Sequence, residues 1–199
     1  KPLLFSYRRC PYAMRARMAL LSCGIDFDIF EISLKDKPKK MIEISPKGTV
    51  PVFVYKDLVL DESIDIMNWA AEQKNNISIK INPNDLAIIK RMIKSNDGEF
   101  KNKLDLYKYT SNKEASLKIR YRKECEVYIR NIDERLETQE YLLSNKFGYL
   151  DIAIFPFVRQ FFNVDLKWFE KTYYNNLKNW VDRISNSDLF IQVMKKPKI

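Results

Sequence analysis

The spacing of apolar residues changes once along the chain, near residue 76, and this change constrains the fold more than any other feature. Before it, the order is strand, helix, strand, helix, strand, strand, helix. After it, apolar residues recur at about 3.6-residue spacing and no alternating pattern occurs. The sequence therefore predicts a small α/β domain over residues 1–76, a linker over 77–84 and an all-helical domain over 85–199.

The first half is expected to fold as a mixed four-stranded sheet with helices. A helix joins the first two strands, so they should be parallel, whereas the last two strands should form a hairpin. The predicted strands are Leu3–Ser6, Phe27–Ile32, Val50–Val54 and Leu58–Leu60, and the predicted helices are Pro11–Cys23, Lys39–Ile44 and Ser63–Lys74.

The second half is expected to fold as a helical bundle. Its apolar residues lie on one face of each segment, as in helices that pack against one another. The predicted helices are Leu86–Tyr109, Asn112–Leu143, Leu150–Phe162, Tyr173–Ser185 and Asp188–Met194.

Two residue counts limit the chemistry that this chain can perform. It has no histidine, which excludes Ser-His-Asp and Cys-His catalysis and also zinc or haem sites held by histidine. Only four glycines occur, and neither of the common glycine-rich phosphate-binding motifs is present. No metal site is expected.

The remaining composition favours a protein of a reducing compartment. The three cysteines Cys10, Cys23 and Cys125 are too few and too widely spaced for a disulfide framework, so a cytoplasmic location is expected. No apolar run approaches the roughly 20 residues of a membrane span. The net charge of +9 is spread along the chain among 26 acidic residues, which favours a lysine-rich surface over a nucleic-acid interface.

Cys10 is the strongest candidate for a reactive group. It follows a buried strand and two arginines, and it precedes Pro11, a residue favoured at the first position of a helix. Unpaired N–H groups at a helix N-terminus stabilise a thiolate, and cysteines in such settings have pKa values of about 3.5–7.5. The alternative, a small buried apolar residue, fits these neighbours less well, but it suits Cys23 and Cys125.

The segment Cys10-Pro11-Tyr12-Ala13 resembles the glutaredoxin active-site tetrapeptide with alanine in place of the second cysteine. Together with its neighbours it resembles the cysteine-type glutathione transferases, above all the omega class. Three more segments fit this resemblance in order and spacing: Leu34–Pro38, Ser45–Val52 and Leu60–Ser63. In the helical half, Gly148–Pro156 resembles the family's buried capping box, with Asp151 in its acidic position.

The resemblance implies a fold and a set of glutathione-binding residues. The fold would be that of the glutathione transferases, a thioredoxin-like N-terminal domain followed by a helical C-terminal domain. Pro51 would be a cis proline that turns the backbone of Val50 towards the cysteinyl part of glutathione. The other residues implied to bind glutathione are Tyr12, Lys37, Glu62 and Ser63. By the same resemblance, Glu62 would pair with the α-amino group of glutathione, and Ser63 would also cap the helix that follows it.

By the same resemblance, Cys10 would carry a glutathionyl group as a mixed disulfide during thiol transfer or dehydroascorbate-type reduction. Glutathione would be the cosubstrate, and the partner a small electrophilic or disulfide substrate. A homodimer is expected, with residues 56–69 facing the partner.

Two alternatives remain open at this point. Ser6 or Tyr7 ends the first strand, near where serine- and tyrosine-type transferases carry the hydroxyl that stabilises glutathione thiolate, so the chain could be a conjugating transferase. Other proteins of this fold are non-catalytic regulators that bind RNA polymerase. The presence of Cys10 and the implied glutathione contacts favours an enzyme.

Overall fold

The computed structural model describes residues 1–73 and 79–196. Their contacts divide the chain into two compact units, one formed by the residues up to Lys80 together with the segment from Asn186, the other by Ile81–Ser185. The predicted boundary between residues 76 and 77 and the predicted helix end at Lys74 lie outside the described residues. The sequence analysis assigned the segment from Asn186 to the helical domain, whereas its contacts group it with the first unit.

Four strands form the predicted mixed sheet in the first unit. They are β1 (Leu3–Ser6), β2 (Asp28–Glu31), β3 (Val52–Tyr55) and β4 (Leu58–Leu60), in the spatial order β2-β1-β3-β4. The β1–β2 pair is parallel, and β3 is antiparallel to both β1 and β4. This arrangement confirms the thioredoxin-like sheet that the resemblance implied.

The helices flank this sheet in the first unit and make up the second. In chain order the described helices are α1 (Pro11–Ser22), α2 (Lys39–Ile44), α3 (Ser63–Ala71), α4 (Leu86–Ser95), α5 (Lys101–Tyr109), α6 (Ala115–Arg135), α7 (Tyr149–Phe162), α8 (Leu166–Glu170), α9 (Asn175–Ser185) and α10 (Asp188–Val193).

Helix α1 lies between the sheet and two other helices. Pro11 occupies its first position, and Gly24, at φ +65°, follows its end, because a left-handed residue there is least costly as glycine. Helices α3 and α10 both pack on α1. As a result α1 is buried on nearly every side, including at Arg15 and Arg17.

The second unit contains a helix that the sequence analysis did not predict, α8, and it departs most from the predicted helix boundaries in two places. The segment predicted as one helix over 86–109 contains a π-helical turn at Asn96–Phe100, where the buried Asn96 amide accepts a hydrogen bond from the Tyr128 hydroxyl. The segment predicted as helix from 112 to 143 stops at Arg135. The Leu142 backbone beyond it is hydrogen-bonded to the side chains of Arg135 and Asp151 instead.

No helix within the described ranges combines the length and the apolar character that crossing a bilayer requires.

Candidate functional site

Cys10 lies at the N-terminal boundary of α1 and is partly exposed. Its backbone is extended, at φ −72° and ψ 124°, and its amide donates to the Tyr7 carbonyl at 2.9 Å. The carbonyl of Cys10 accepts from the Met14 amide, which begins the hydrogen bonding of the helix. Its Sγ lies 3.7 Å from the Val50 carbonyl oxygen. The thiol therefore stands beside the backbone that the resemblance assigned to glutathione.

The Val50–Pro51 peptide bond is cis, as the resemblance implied. It joins strand β3 to a loop that turns at Gly48, whose φ is +62°. The Lys37 amine lies close to this turn, 3.7 Å from where a Cβ on residue 48 would stand. The exposed Lys37 side chain thus reaches the loop that leads to Val50.

Glu62 and Ser63 occupy the start of α3, but not in the way the sequence predicted. The prediction that Ser63 caps the helix is wrong, because Glu62 occupies the cap position and Ser63 is the first helical residue. Ser63 is buried, and its hydroxyl accepts a hydrogen bond from the Arg15 guanidinium at 3.2 Å. That guanidinium also lies over the ring of Tyr12, 5.6 Å from its centre. Arg15 thereby connects two of the predicted glutathione-binding residues.

Glu62 belongs to a cluster of acidic and basic side chains that the sequence analysis did not identify. The Lys47 ammonium pairs with both the Glu62 and the Asp61 carboxylates, the latter at 3.0 Å. The buried Ser45 hydroxyl donates to the other oxygen of Asp61 at 2.8 Å, and these bonds lower the pKa of Asp61. The group therefore ties the loop before β3 to the start of α3.

A second polar group lies at the loop between β1 and α1. The Arg17 guanidinium, 1% exposed, donates to the Arg8 carbonyl at 2.5 Å and to the Ser6 hydroxyl at 3.3 Å. The Arg8 amide donates to the Glu31 carboxylate at 2.6 Å. Sequence reasoning missed this group, because nothing local indicates that an arginine in a helix is buried.

Ser6 and Tyr7, the hydroxyl residues considered as alternatives to Cys10, lie in different environments. Ser6 is fully buried, and its hydroxyl is in contact with Arg17. Tyr7 is partly exposed, and its hydroxyl accepts two hydrogen bonds from the Arg9 guanidinium, at 2.7 and 3.2 Å.

The other two cysteines lie in apolar surroundings. Burial raises the pKa of Cys23 to about 11 and that of Cys125 to about 12, so both are neutral thiols at physiological pH. Across residues 1–73 and 79–196, no group of three or more acidic or cysteine side chains is placed to hold a metal ion.

Family models match both units of the chain. The N-terminal domain model of glutathione S-transferase matches residues 9–73, and the C-terminal domain model matches residues 90–188. Fold, site geometry and these matches define the class of protein: the chain belongs to the glutathione S-transferase family.

Among individual proteins, the chain is similar over nearly its whole length to the stringent starvation protein A homolog of Haemophilus influenzae. The identity is 24%, over 95% of this chain and 88% of that protein. Glutathione S-transferase omega-1 of Mus musculus is 43% identical over 49 residues, which are 25% of this chain and 20% of that protein.

Solved structures of glutathione transferases share the fold of the whole chain. The structure of a glutathione transferase from Pseudomonas putida, described with glutathione disulfide bound, superposes with a TM-score of 0.83 at 18% identity. That match covers 100% of this chain and 92% of the other. At this identity the similarity establishes the fold alone.

Proposed function

We propose that this glutathione S-transferase family member catalyses glutathione-dependent thiol transfer through Cys10. The observation that carries the proposal is the position of the Cys10 Sγ, partly exposed at the start of α1 and 3.7 Å from the Val50 carbonyl. The amides of the first helical turn and the positive end of the helix dipole favour a thiolate there. A glutathione strand paired with the Val50 backbone would bring its sulfur next to Cys10.

The proposed reaction has two thiol–disulfide exchanges. The Cys10 thiolate attacks the glutathionyl sulfur of an S-glutathionylated substrate, the substrate S–S bond breaks, and the substrate leaves as a thiolate that takes up a proton. A second glutathione thiolate then attacks the glutathionyl sulfur held on Cys10. This step releases glutathione disulfide and restores the Cys10 thiolate, so the two electrons come from glutathione.

The lack of a second cysteine in the tetrapeptide supports the use of external glutathione. Ala13 occupies the place where a dithiol enzyme would carry its resolving cysteine, and it is fully buried. Cys23 and Cys125, with pKa values raised to about 11 and 12, are poorly suited to replace it because thiolates are the attacking species.

The geometry supports Cys10 over the hydroxyl residues. A hydroxyl that stabilises the glutathione thiolate must reach the bound sulfur. Ser6 is fully buried against Arg17, and the Tyr7 hydroxyl lies on the exposed side of the loop, where it is bonded to Arg9. A thiol that is partly exposed beside Val50 meets the requirement better.

Mass spectrometry after incubation with glutathione disulfide tests the proposal. We expect a single glutathionyl adduct on Cys10 in the wild type, no adduct in Cys10→Ser, and an unchanged adduct in the control Cys23→Ser. Cys10→Ser should also abolish reduction of a glutathionylated peptide. Equal labelling of all three cysteines, or undiminished turnover in Cys10→Ser, would exclude the mechanism.

A second candidate function is regulation without catalysis. The observation that favours it is the match to the stringent starvation protein A homolog over 95% of the chain, whereas the omega-1 match covers 25%. A glutathione affinity column distinguishes the candidates, because a thiol-transfer enzyme should be retained and eluted by free glutathione. A protein that passes through unretained, and also fails to form the Cys10 adduct, would favour the regulatory function.

We also propose that the protein is a homodimer that works in a reducing compartment such as the cytoplasm. Its three cysteines form no disulfide with one another in the part of the chain that the structure describes, which suits a reducing environment. The segment proposed to face the partner includes Val59 on β4, an apolar side chain that is 41% exposed. Light scattering should give twice the chain mass, and Val59→Lys should lower it; a monomeric wild type would contradict this.

A further inference from the structure

Arg8, which precedes Arg9 and Cys10, is held by charged side chains on two different elements. Arg8 is two positions ahead of Cys10 in the loop between β1 and α1. Its carbonyl accepts from the Arg17 guanidinium at 2.5 Å, and its amide donates to the Glu31 carboxylate at 2.6 Å. Both backbone polar groups of Arg8 are therefore bound by side chains whose charges are opposite.

Arg17 and Glu31 also interact with each other. The Nη1 of Arg17 lies 4.0 Å from Oε2 of Glu31, and the Arg17 side chain is 1% exposed while that of Glu31 is 30% exposed. Among the described residues, neither the Nε of Arg17 nor the Oε2 of Glu31 has a hydrogen-bond partner. Each side chain of this pair therefore keeps one polar atom that is hydrogen-bonded to no described residue. Because burial weakens screening by solvent, the electric field of the two charges extends to neighbouring groups.

Cys10 is among those neighbouring groups. Burial lowers the pKa of Arg17 to about 10, while the charge of Glu31 and a charge on Cys10 both raise it. Electrostatic coupling between two titrating groups is reciprocal, so a positive charge at Arg17 favours the thiolate at Cys10. Glu31 pairs with the same guanidinium, so its negative charge offsets part of the positive field of Arg17.

We propose that Arg17 and Glu31 are positioning residues for the Cys10 thiol: together they hold its loop, and their charges act on its ionisation in opposite directions. This inference rests on the proposed function, because it concerns the thiolate that the thiol-transfer mechanism needs. It assigns to the buried Arg17 and the partly exposed Glu31 a role in setting how readily Cys10 reacts.

The other charged groups nearby are few and mostly exposed. Arg8 and Arg9 lie on the loop itself, with Arg9 exposed against Tyr7. Arg15 on α1 donates to Ser63. The elements packed on α1 add Asp28 on β2, Asp65 on α3 and Asp188 on α10, all exposed, and β3 and β4 carry no charged residue.

The test measures the rate of iodoacetamide alkylation of Cys10 from pH 4 to pH 9 in full-length protein, with the modified residue identified by mass spectrometry. Arg17→Met should move the midpoint of the profile to higher pH, and Glu31→Gln should move it to lower pH, each by about half a pH unit or more. Arg17→Lys should restore most of the wild-type midpoint. Asp28→Asn, which removes an exposed carboxylate from the same strand, is the matched control and should leave the profile unchanged.

A merely structural role would not produce shifts of opposite sign. Shifts in the same direction for Arg17→Met and Glu31→Gln, or no shift in either, would overturn the inference while leaving the proposed function intact. A wild-type Cys10 that reacts no faster at pH 6 than free cysteine would instead defeat the proposed function. If Arg17→Met does not fold, Glu31→Gln and Arg17→Lys decide the matter, since an unshifted Glu31→Gln profile alone contradicts the opposing-charge argument.

Discussion

Replacement of Asp151 by asparagine should destabilise the helical unit, by an amount that depends on pH. Asp151 is 1% exposed, and its carboxylate accepts hydrogen bonds from three N–H groups. These belong to Leu142 at 3.0 Å, Gly148 at 3.0 Å and the Trp180 indole at 2.8 Å. In Asp151→Asn one of these donors faces an amide NH₂ group, and an unpaired buried donor costs about 1–3 kcal/mol. We expect that loss in the free energy of unfolding at pH 7.

The pH dependence follows from the burial of the carboxylate. Burial raises the pKa of Asp151 from its usual 3.8 to about 6, against the effect of the three donors. Because the pKa is higher in the folded than in the unfolded state, this group stabilises the fold most below pH 4 and loses that contribution as pH rises through 6. A shift of about two units corresponds to about 3 kcal/mol, of which about 2 kcal/mol falls between pH 4 and pH 7. Asparagine does not titrate.

The stability gap between the wild type and Asp151→Asn should therefore widen from about 1–3 kcal/mol at pH 7 to about 3–5 kcal/mol at pH 4. Urea unfolding, followed by circular dichroism at several pH values, measures this gap. Because the gap is a difference between two proteins, the contributions of all other titrating groups cancel. Asp182→Asn, an exposed substitution on α9, is the control and should show no such trend. A gap that stays constant or narrows on acidification would mean that the N–H donors outweigh burial, and the reasoning would be refuted.

Two further predictions concern the loop before β3. Lys47→Gln should tighten glutathione binding by up to about fivefold in calorimetry, because Lys47 now pairs with the Glu62 carboxylate that is proposed to bind the glutathione ammonium. A glutathione analogue without its α-amino group should show no gain, and weaker binding of glutathione itself would contradict the competition. Gly48→Ala should lower stability by more than the roughly 1 kcal/mol expected for Gly24→Ala, since both glycines have positive φ but only a Cβ at 48 meets a neighbouring side chain, at 3.1 Å. Equal losses of stability for Gly48→Ala and Gly24→Ala in thermal unfolding would show that the side-chain contact at residue 48 has no effect.

The fold of the first unit could be predicted because its signals are local. Strands β1, β3 and β4 are short, mainly apolar runs, and the helix between the first two strands fixes their parallel pairing. Strand β3 begins at Val52, two residues later than predicted, since Pro51 has no amide hydrogen to give to a sheet. In the second unit, by contrast, the π-helical turn at Asn96 depends on a partner 32 residues away, Tyr128. Apolar periodicity contains no information about such a partner.

The candidate site shows the same difference between features that depend on neighbours in sequence and features that depend on distant residues. The position of Cys10 at the start of a helix follows from Pro11 and the strand before it, both of which are adjacent in sequence. The buried charge that acts on Cys10 cannot be predicted from neighbouring residues, because arginine in a helix is ordinarily exposed. Arg17 is buried since its helix packs on the sheet, on α3 and on α10, and the last of these lies more than 160 residues further along the chain.

This difference changes which residues should control the thiol. The sequence predicts that Arg8, Arg9 and Arg15 add positive potential at Cys10, and the first two are its near neighbours in the chain. In the structure the Arg8 side chain reaches towards the Met194 carbonyl at 3.5 Å, and Arg9 is exposed against Tyr7. The exposed charge of Arg9 is screened by water more strongly than the buried guanidinium of Arg17. Added salt should therefore alter the alkylation profile of wild-type Cys10 much less than the substitution Arg17→Met does, and a profile that moves strongly with salt would return the role to Arg9.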